Sequence, residues 1–283
     1  METRVSSANA EVIIGDNRPT VLIGERINPT GKKKLAEALK AGNLEVVRSE
    51  AMAQAQAGAD IIDVNVSTMG VDEVSLLPQA VRVVMDAVDV PLCIDSPKPE
   101  ALEAALKVYK GKPLINSVAG EEHSLAKVLP LVKEYGAAVI GLVQDDEGIP
   151  RDAERRVAIA RKIVERAEAV GIPREDVVID VLTFAIGAEA GSGLAVIESI
   201  SRIKAELGVN VTMGASNVSF GMPDRELLNN TFVAMVIAAG ATCLIVDAAK
   251  VRSTVLATDL VLGRDRFARR YIENYRRRQS QQP

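Results

Sequence analysis

The sequence predicts a (β/α)8 barrel, a closed ring of eight parallel strands with a helix after each strand. Eight short apolar runs occur along the chain, separated by segments in which apolar residues recur at helical spacing. A polar residue lies at or near the end of each run, namely Glu25, Asp63 and Asn65, Asp95, Asn116, Gln144, Asp180, Asn217 and Asp247. In barrels of this kind the carboxyl ends of the strands form the mouth where ligands bind. We therefore expect the polar residues at the ends of the runs to face one mouth.

The predicted strands are short and apolar, as strands covered on both faces of a parallel sheet are. They are Thr20–Glu25, Ile61–Val66, Pro91–Asp95, Pro113–Asn116, Ala137–Val143, Val177–Val181, Val209–Gly214 and Thr242–Asp247. Apolar stripes between them predict the helices. The longest stripe contains Val157, Ala160, Ile163 and Val164, and Gly171-Ile172-Pro173 ends this helix.

The 283 residues suit one barrel domain over residues 19–263, with a segment outside it at each end. Residues 1–18 are predicted to form a short N-terminal arm. Residues 264–283 are predicted to form a basic C-terminal helix, since seven arginines lie between Arg264 and Arg278. This helix either packs on the barrel with a solvated basic face or offers a docking surface to an acidic partner.

Composition and charge exclude several classes of protein. A net charge of −4 with 48% hydrophobic residues is typical of a globular protein and does not indicate nucleic-acid binding. No apolar run approaches the ~18 residues of a membrane span. The N-terminus lacks the apolar core of a signal peptide, so we expect a cytoplasmic protein.

Few residues could bind a metal or form a nucleophile. His123 is the one histidine, and Cys93 and Cys243 lie inside apolar runs, where we expect free buried thiols. These residues supply neither a His/Cys zinc site nor a histidine-based triad, so we expect no bound metal. The chain has no tryptophan, four phenylalanines and four tyrosines, which disfavours a cofactor held between aromatic rings.

Carboxylates and amides without a metal favour a small ligand rich in hydrogen-bond donors. A 2-amino-4-oxo pterin carries an exocyclic amine beside a ring N–H, and one carboxylate can accept both bonds. Amide side chains can donate and accept at the remaining ring atoms. Asp95, Asn116 and Asp180 end the third, fourth and sixth predicted strands and suit these contacts.

Several segments resemble the pterin-binding methyltransferases, most closely the methyltetrahydrofolate:corrinoid methyltransferases, which share their barrel with dihydropteroate synthase. The resemblance covers residues 21–263, and its most specific segment is ASNVS, while GERIN is shared with the folate module of cobalamin-dependent methionine synthase. The segments are GERIN at Gly24–Asn28, DVNV at Asp63–Val66, CIDS at Cys93–Ser96, INS ending at Ser117, GAAVIGL at Gly136–Leu142, VID ending at Asp180 and ASNVS at Ala215–Ser219.

The resemblance implies methyl transfer between N5 of tetrahydrofolate and the cobalt of a corrinoid protein, with tetrahydrofolate or 5-methyltetrahydrofolate as substrate. It implies a place in an anaerobic one-carbon pathway, of the O-demethylation or acetyl-CoA type, and a homodimer with open mouths. By position, Asn217 faces N5 as the catalytic residue. The other implied pterin-binding residues are Asp95, Asn116, Asp180, Gly214 and Ser216.

The corrinoid itself is expected on a separate protein. Corrinoid-binding domains of this system carry a D-x-H-x-x-G loop, and the sequence around His123, EEHSLA, does not match it. Cobalamin is therefore expected only on the partner. The direction of methyl transfer stays open.

Further residues, all polar except Phe220, are expected at the mouth or behind the ring contacts. They are Glu25, Asn28, Asp63, Asn65, Ser96, Gln144, Phe220, Arg225 and Asp247. Two departures from the family pattern concern the pocket wall. Phe220 stands where family members often carry a polar side chain, and Val181–Phe184 is less proline-rich than usual.

Three other functions stay open at the level of sequence. The chain could be a non-catalytic pterin-binding subunit, or a barrel enzyme for an unrelated polar metabolite. A dihydropteroate synthase-like enzyme is disfavoured, because that family uses Lys and Arg near its seventh and eighth strands to handle pyrophosphate. The segment Met213–Asn217 contains no cation.

Overall fold

Eight parallel strands form a barrel in the computed structural model, which describes residues 1–280. Neighbours around the barrel follow the order of the chain. The last and seventh strands are joined by hydrogen bonds from Thr242 N to Val211 O (3.1 Å) and from Ile245 N to Met213 O (3.0 Å). These bonds close the ring, and the predicted (β/α)8 fold is confirmed.

Two strands precede the barrel, and every predicted strand overlaps an observed one, with differences only at the ends. The strands are β1 (Glu2–Ser6), β2 (Glu11–Gly15), β3 (Val21–Ile27), β4 (Ile61–Asn65), β5 (Leu92–Asp95), β6 (Leu114–Ala119), β7 (Ala138–Leu142), β8 (Val177–Asp180), β9 (Asn210–Thr212) and β10 (Cys243–Val246). Successive side chains of a strand point to opposite faces of the sheet. A difference in where a strand ends therefore does not change which of its other residues face inward.

The helices surround the barrel and follow the strands in turn. They are α1 (Lys33–Lys40), α2 (Glu45–Ala57), α3 (Glu73–Ala87), α4 (Pro99–Leu106), α5 (Glu122–Glu134), α6 (Ala153–Ala169), α7 (Ser192–Leu207), α8 (Arg225–Ala239), α9 (Ala248–Val261) and α10 (Arg269–Ser280). Short 3-10 turns occur at Arg174–Asp176, Ala215–Ser219 and Arg266–Ala268. Within residues 1–280, no helix has both the length and the apolar content needed to cross a bilayer.

Two layers of apolar side chains stabilise the barrel. Alternate strand residues, such as Leu22 and Ile62, pack outward against the helices. Their neighbours Ile23 and Ile61 point inward and fill the barrel interior. This alternation is what the period of two in a strand requires. Cys93 and Cys243 lie in the inner layer as free buried thiols.

The first fifteen residues form a hairpin over the amino-terminal end of the barrel, a feature that the sequence analysis did not predict. Strands β1 and β2 pair in antiparallel register. Val5 and Ile14 are completely buried among the residues of the barrel interior. Asn210 Nδ2 donates hydrogen bonds to Ile14 O (3.0 Å) and Thr3 Oγ1 (2.9 Å). The hairpin therefore covers the end of the barrel opposite the mouth.

The chain after α9 packs onto the barrel through a buried carboxylate. Asp259 is completely buried and accepts hydrogen bonds from Thr20 N (2.9 Å) and Thr20 Oγ1 (2.7 Å). Arg264 and Arg270 lie 3.7 Å and 3.8 Å from its carboxylate oxygens. These two arginines of the basic tail therefore belong to the packing of the barrel. Residues 281–283 lie outside the described range.

Candidate active site

The carboxyl ends of the barrel strands surround a cavity of about 700 Å³. Its volume falls within the roughly 300–1,000 Å³ that is usual for small-molecule sites. All six residues expected to contact a pterin line this cavity, namely Asp95, Asn116, Asp180, Gly214, Ser216 and Asn217. Its floor is acidic, because Asp63 within β4 and the terminal aspartates of β5 and β8, Asp95 and Asp180, line it. The structure thus brings the predicted ring contacts together.

A hydrogen-bonded network of carboxyls and amides connects β4, β5 and β6. Asn116 Nδ2 donates to Asp63 Oδ1 (3.1 Å), and Asn65 Nδ2 donates to Asp95 Oδ2 (2.8 Å). Burial raises the pKa of Asp63 to about 6. Burial, together with the neighbouring charge of Asp63, raises the pKa of Asp95 well above its usual range. The charge of one carboxylate therefore opposes ionisation of the other.

Asp180 lies at the end of β8 and is almost completely buried. The backbone N–H of Leu182 donates to Asp180 Oδ1 over 2.7 Å. Burial raises the pKa of Asp180 to about 7, while the Leu182 hydrogen bond and the charge of Arg156 act in the opposite direction. Because Leu182 engages Oδ1 and the side chain lines the cavity, Oδ2 is available to a ligand.

The 3-10 turn after β9 presents Asn217 to the cavity. Asn217 N donates to Gly214 O (3.2 Å), and Phe220 N donates to Asn217 O (3.1 Å), so both ends of the turn are fixed. A Cβ atom on Gly214 would lie 2.9 Å from Asn217 Nδ2, closer than such atoms normally approach. The absence of a side chain at Gly214 therefore leaves room for the Asn217 amide.

A second polar cluster lies across the cavity at the end of β3. Ser216 Oγ donates to Glu25 Oε1 (2.9 Å), and burial raises the pKa of Glu25. Lys32 Nζ donates to the backbone oxygens of Glu25 (3.2 Å) and Arg26 (2.9 Å). Burial lowers the pKa of Lys32. Asp247 lines the cavity beside this cluster, 3.8 Å from Arg26 Nη1.

The predicted rim residues Asn28, Phe220 and Arg225 also line the cavity. Arg225 Nε donates to Ser219 Oγ (3.0 Å), and Nη2 donates to Ser216 O (3.0 Å). The guanidinium carbon lies 5.3 Å from the centroid of the Phe220 ring, which is 67% exposed. The arginine thus holds the turn that carries Asn217, and the aromatic ring stands at the edge of the mouth.

Three predicted mouth residues do not line the cavity. Asn65 lies behind the ring contacts, where it donates to Asp95. Ser96 is buried, and its hydroxyl donates to Glu73 Oε2 over 2.8 Å. Gln144 accepts a hydrogen bond from Gly120 N at its backbone oxygen (2.9 Å). Ser96, one position beyond β5, thus points away from the mouth.

The cavity also contains residues that the sequence analysis did not single out. They are Thr30, Gly31, Lys32, Glu226, Asn229, Asn230, Ile245, Lys250 and Val251. Lys32 could have been found from its position four residues after the end of the GERIN segment. The residues on α8 and α9 carried no such signal, because only the fold brings the first turns of these helices to the mouth.

One cluster of carboxylates with the single histidine lies apart from this network. Glu121, His123 and Asp146 each offer a ligand atom, and these atoms lie within 4.8 Å of one another. His123 and Asp146 are exposed, and His123 Nε2 lies 3.3 Å from Glu121 Oε2. Exposed acidic groups often cluster in this way without an ion, so the absence of a bound metal stays a prediction.

The barrel has an acidic, amide-lined mouth, whose groups suit a compact ligand with several hydrogen-bond donors. Comparison with models of known protein families identifies the family of this barrel. Residues 24–247 match the model described as pterin binding enzyme, and the chain belongs to this family.

Individual relatives extend this comparison. The chain is 34% identical over 266 residues to a methylcorrinoid:tetrahydrofolate methyltransferase of Eubacterium limosum, with 90% of this chain and 96% of that protein covered. It is 33% identical over 263 residues to the methionine synthase of Mycobacterium tuberculosis, with 88% and 22% covered. A solved dihydropteroate synthase of Xanthomonas albilineans has a TM-score of 0.71 at 21% identity, with 93% and 98% covered, and shows the same fold.

Proposed function

We propose that this chain is a methyltransferase that moves a methyl group between N5 of tetrahydrofolate and the cobalt of a corrinoid on a separate protein. The observation that carries the proposal is the Asn217 amide, which faces the same cavity as Asp95, Asn116 and the buried Asp180. Asp95, Asn116 and Asp180 suit the donors of the pterin ring, and the Asn217 amide suits the reacting nitrogen N5. The similarity to the Eubacterium limosum methyltransferase over nearly the whole of both chains supports this pair of substrates.

The buried carboxyls match the donors of a reduced pterin. An ionised carboxylate can accept hydrogen bonds from the exocyclic amine and the adjacent ring N–H, and such charge-assisted bonds are strong. Burial raises the pKa of both Asp95 and Asp180, so each ionised carboxylate gains from additional hydrogen-bond donors. Because the ring donors bind the ionised form, ligand binding is expected to lower both pKa values.

Asn217 is assigned to the chemical step. When the methyl group leaves N5, the electron pair of the broken C–N bond stays on the nitrogen, and the methyl joins the cobalt. N5 is a poor leaving group unless this developing electron pair receives a hydrogen bond or a proton. The Asn217 amide can donate that bond from a fixed turn, so it stabilises the transition state more than the ground state. In the reverse direction, N5 must be unprotonated to attack the methyl group.

The corrinoid partner must approach from the open mouth. The hairpin of β1 and β2 covers the opposite end of the barrel, so the reacting nitrogen is accessible from the carboxyl ends of the strands alone. Phe220 and Arg225 stand at this edge. Two homodimer subunits with open mouths, as the family resemblance implies, would each admit a partner in this way.

Turnover with free cobalamin tests the proposed function. The purified protein, given tetrahydrofolate and methylcobalamin, is expected to produce 5-methyltetrahydrofolate, and the reverse reaction is expected with cob(I)alamin. The absorbance change of the corrinoid reports both directions, and reactions without the protein are the control. Tight folate binding with no transfer in either direction would instead indicate a non-catalytic subunit. Formation of dihydropteroate from p-aminobenzoate and a pterin pyrophosphate would indicate a synthase.

A further inference from the structure

Arg156 of α6 is completely buried behind the end of β8. Arginine side chains are almost never fully buried unless they are paired. Here Nε donates to Pro150 O (2.8 Å) and Nη1 donates to Leu182 O (3.2 Å). Nη2 is buried and has no hydrogen-bond partner within residues 1–280. An incompletely satisfied buried cation is costly, so simple packing does not explain this residue.

Leu182 connects this arginine to the mouth. Its φ is +52°, in the left-handed region that a leucine rarely adopts. In this conformation its N–H donates to Asp180 Oδ1 (2.7 Å), while its carbonyl accepts the bond from Arg156. One strained peptide segment thus joins the buried guanidinium to the carboxylate. Strained residues persist only where their surroundings hold them.

We propose that Arg156 is a positioning residue that keeps Asp180 ready to bind the pterin ring. Its hydrogen bond holds Leu182 in the conformation that points the N–H at Asp180, and its positive charge favours the ionised carboxylate. The inference rests on the proposed function in so far as Asp180 is taken to bind the ring. Arg156 does not line the cavity. Its charge and its hydrogen bond to Leu182 O act on Asp180, which does line it.

The other groups around Asp180 do not supply this charge. The flanking strands β7 and β9 have the sequences AVIGL and NVT and carry no charged residue. Cys243 of β10 faces Asp180, and burial raises the pKa of its thiol to about 12, so the thiol is neutral. The negative charge of Asp152, the residue before α6, favours the protonated form of Arg156 and supplies no positive charge to Asp180. Among the described residues, Arg156 is therefore the cation that acts on Asp180.

The titration of Asp180 in the unliganded protein tests this proposal. The protein is labelled with ¹³C at the aspartate Cγ, and the Asp180 resonance is assigned by its loss in Asp180→Asn. Replacement Arg156→Met is expected to raise the midpoint of this titration by about one pH unit or more, because the compensating charge is lost while the burial stays. Arg156→Lys, which keeps the charge, is expected to recover at least half of the shift.

Folate binding gives a second readout. In Arg156→Met, the pH at which affinity for 5-methyltetrahydrofolate falls to half its alkaline value is expected to move upward with the Asp180 midpoint. The matched control is Arg155→Met, since Arg155 is the adjacent arginine and pairs with Asp145 and Glu147 away from Asp180. This variant is expected to leave both midpoints unchanged.

A purely structural role for Arg156 predicts a different result. Affinity would then fall equally at every pH, and the Asp180 midpoint would not move, which would overturn the proposal. Should Arg156→Met fail to fold, the same upward shift is expected in Arg156→Gln, which is neutral but can still donate to a carbonyl. The titration needs no folate. A wild-type protein that does not bind folate would therefore refute the proposed function and leave this inference testable.

Discussion

Replacing Asp180 with alanine is expected to weaken binding of 5-methyltetrahydrofolate at least about tenfold, because buried ring donors lose their acceptor. An unpaired buried donor costs about 1–3 kcal/mol, and more when the lost partner is charged. Calorimetric titration of both proteins measures this change. Asp146→Ala is the control, since Asp146 is exposed and does not line the cavity. Unchanged affinity in Asp180→Ala would remove this residue from the ring site.

The pH dependence of binding provides a further result from the same titrations. The pKa of Asp180 is raised to about 7, so the carboxylate becomes protonated as the pH falls through this value. The protonated form accepts ring donors less well. Wild-type affinity is therefore expected to fall below about pH 7, and Asp180→Asn should lose the part of this dependence that belongs to Asp180. Remaining dependence would come from the Asp63 and Asp95 pair.

Asn217→Ala is expected to lower kcat by roughly 10²–10³, as the loss of one donor to a developing charge does in other enzymes. Folate affinity should change much less, because the bond to N5 strengthens only as the methyl group leaves. Single-turnover transfer to cob(I)alamin, with binding measured separately, distinguishes these effects. Asn230→Ala is the control, since this amide lines the same cavity but bonds to Glu226 O and Thr254. Reduced affinity with a normal kcat would make Asn217 a binding residue only.

Much of the fold could be predicted from the sequence because strand and helix patterns are local. The apolar runs of the eight barrel strands are buried on both faces, which makes them easy to distinguish from the helices between them. The hairpin of β1 and β2 was missed for the opposite reason. Its strands are five residues long and contain exposed Glu2 and Arg4, and its buried residues, Val5 and Ile14, pack against the distant interior of the barrel.

Two kinds of signal predicted the site: the alternation of side chains at the strand ends, and the family resemblance for Gly214, Ser216 and Asn217 in the turn after β9. Asp95 and Asp180 end strands whose alternation points them inward, so both could be placed from the sequence. Ser96 follows Asp95 by one residue and therefore faces away, toward Glu73. The role proposed for Arg156 could not be predicted from the sequence, because Arg155 and Arg156 are adjacent in α6 and only the fold shows which one is buried.

A crystal structure of the protein with 5-methyltetrahydrofolate tests the central claim most directly. We expect the amine-bearing edge of the ring to contact Asp95, Asn116 and Asp180. The distance from the Asn217 amide to N5 should lie within about 2.6–3.2 Å, or be bridged by one water. A folate bound elsewhere, or a pterin ring in this cavity with N5 directed away from Asn217, would contradict the account.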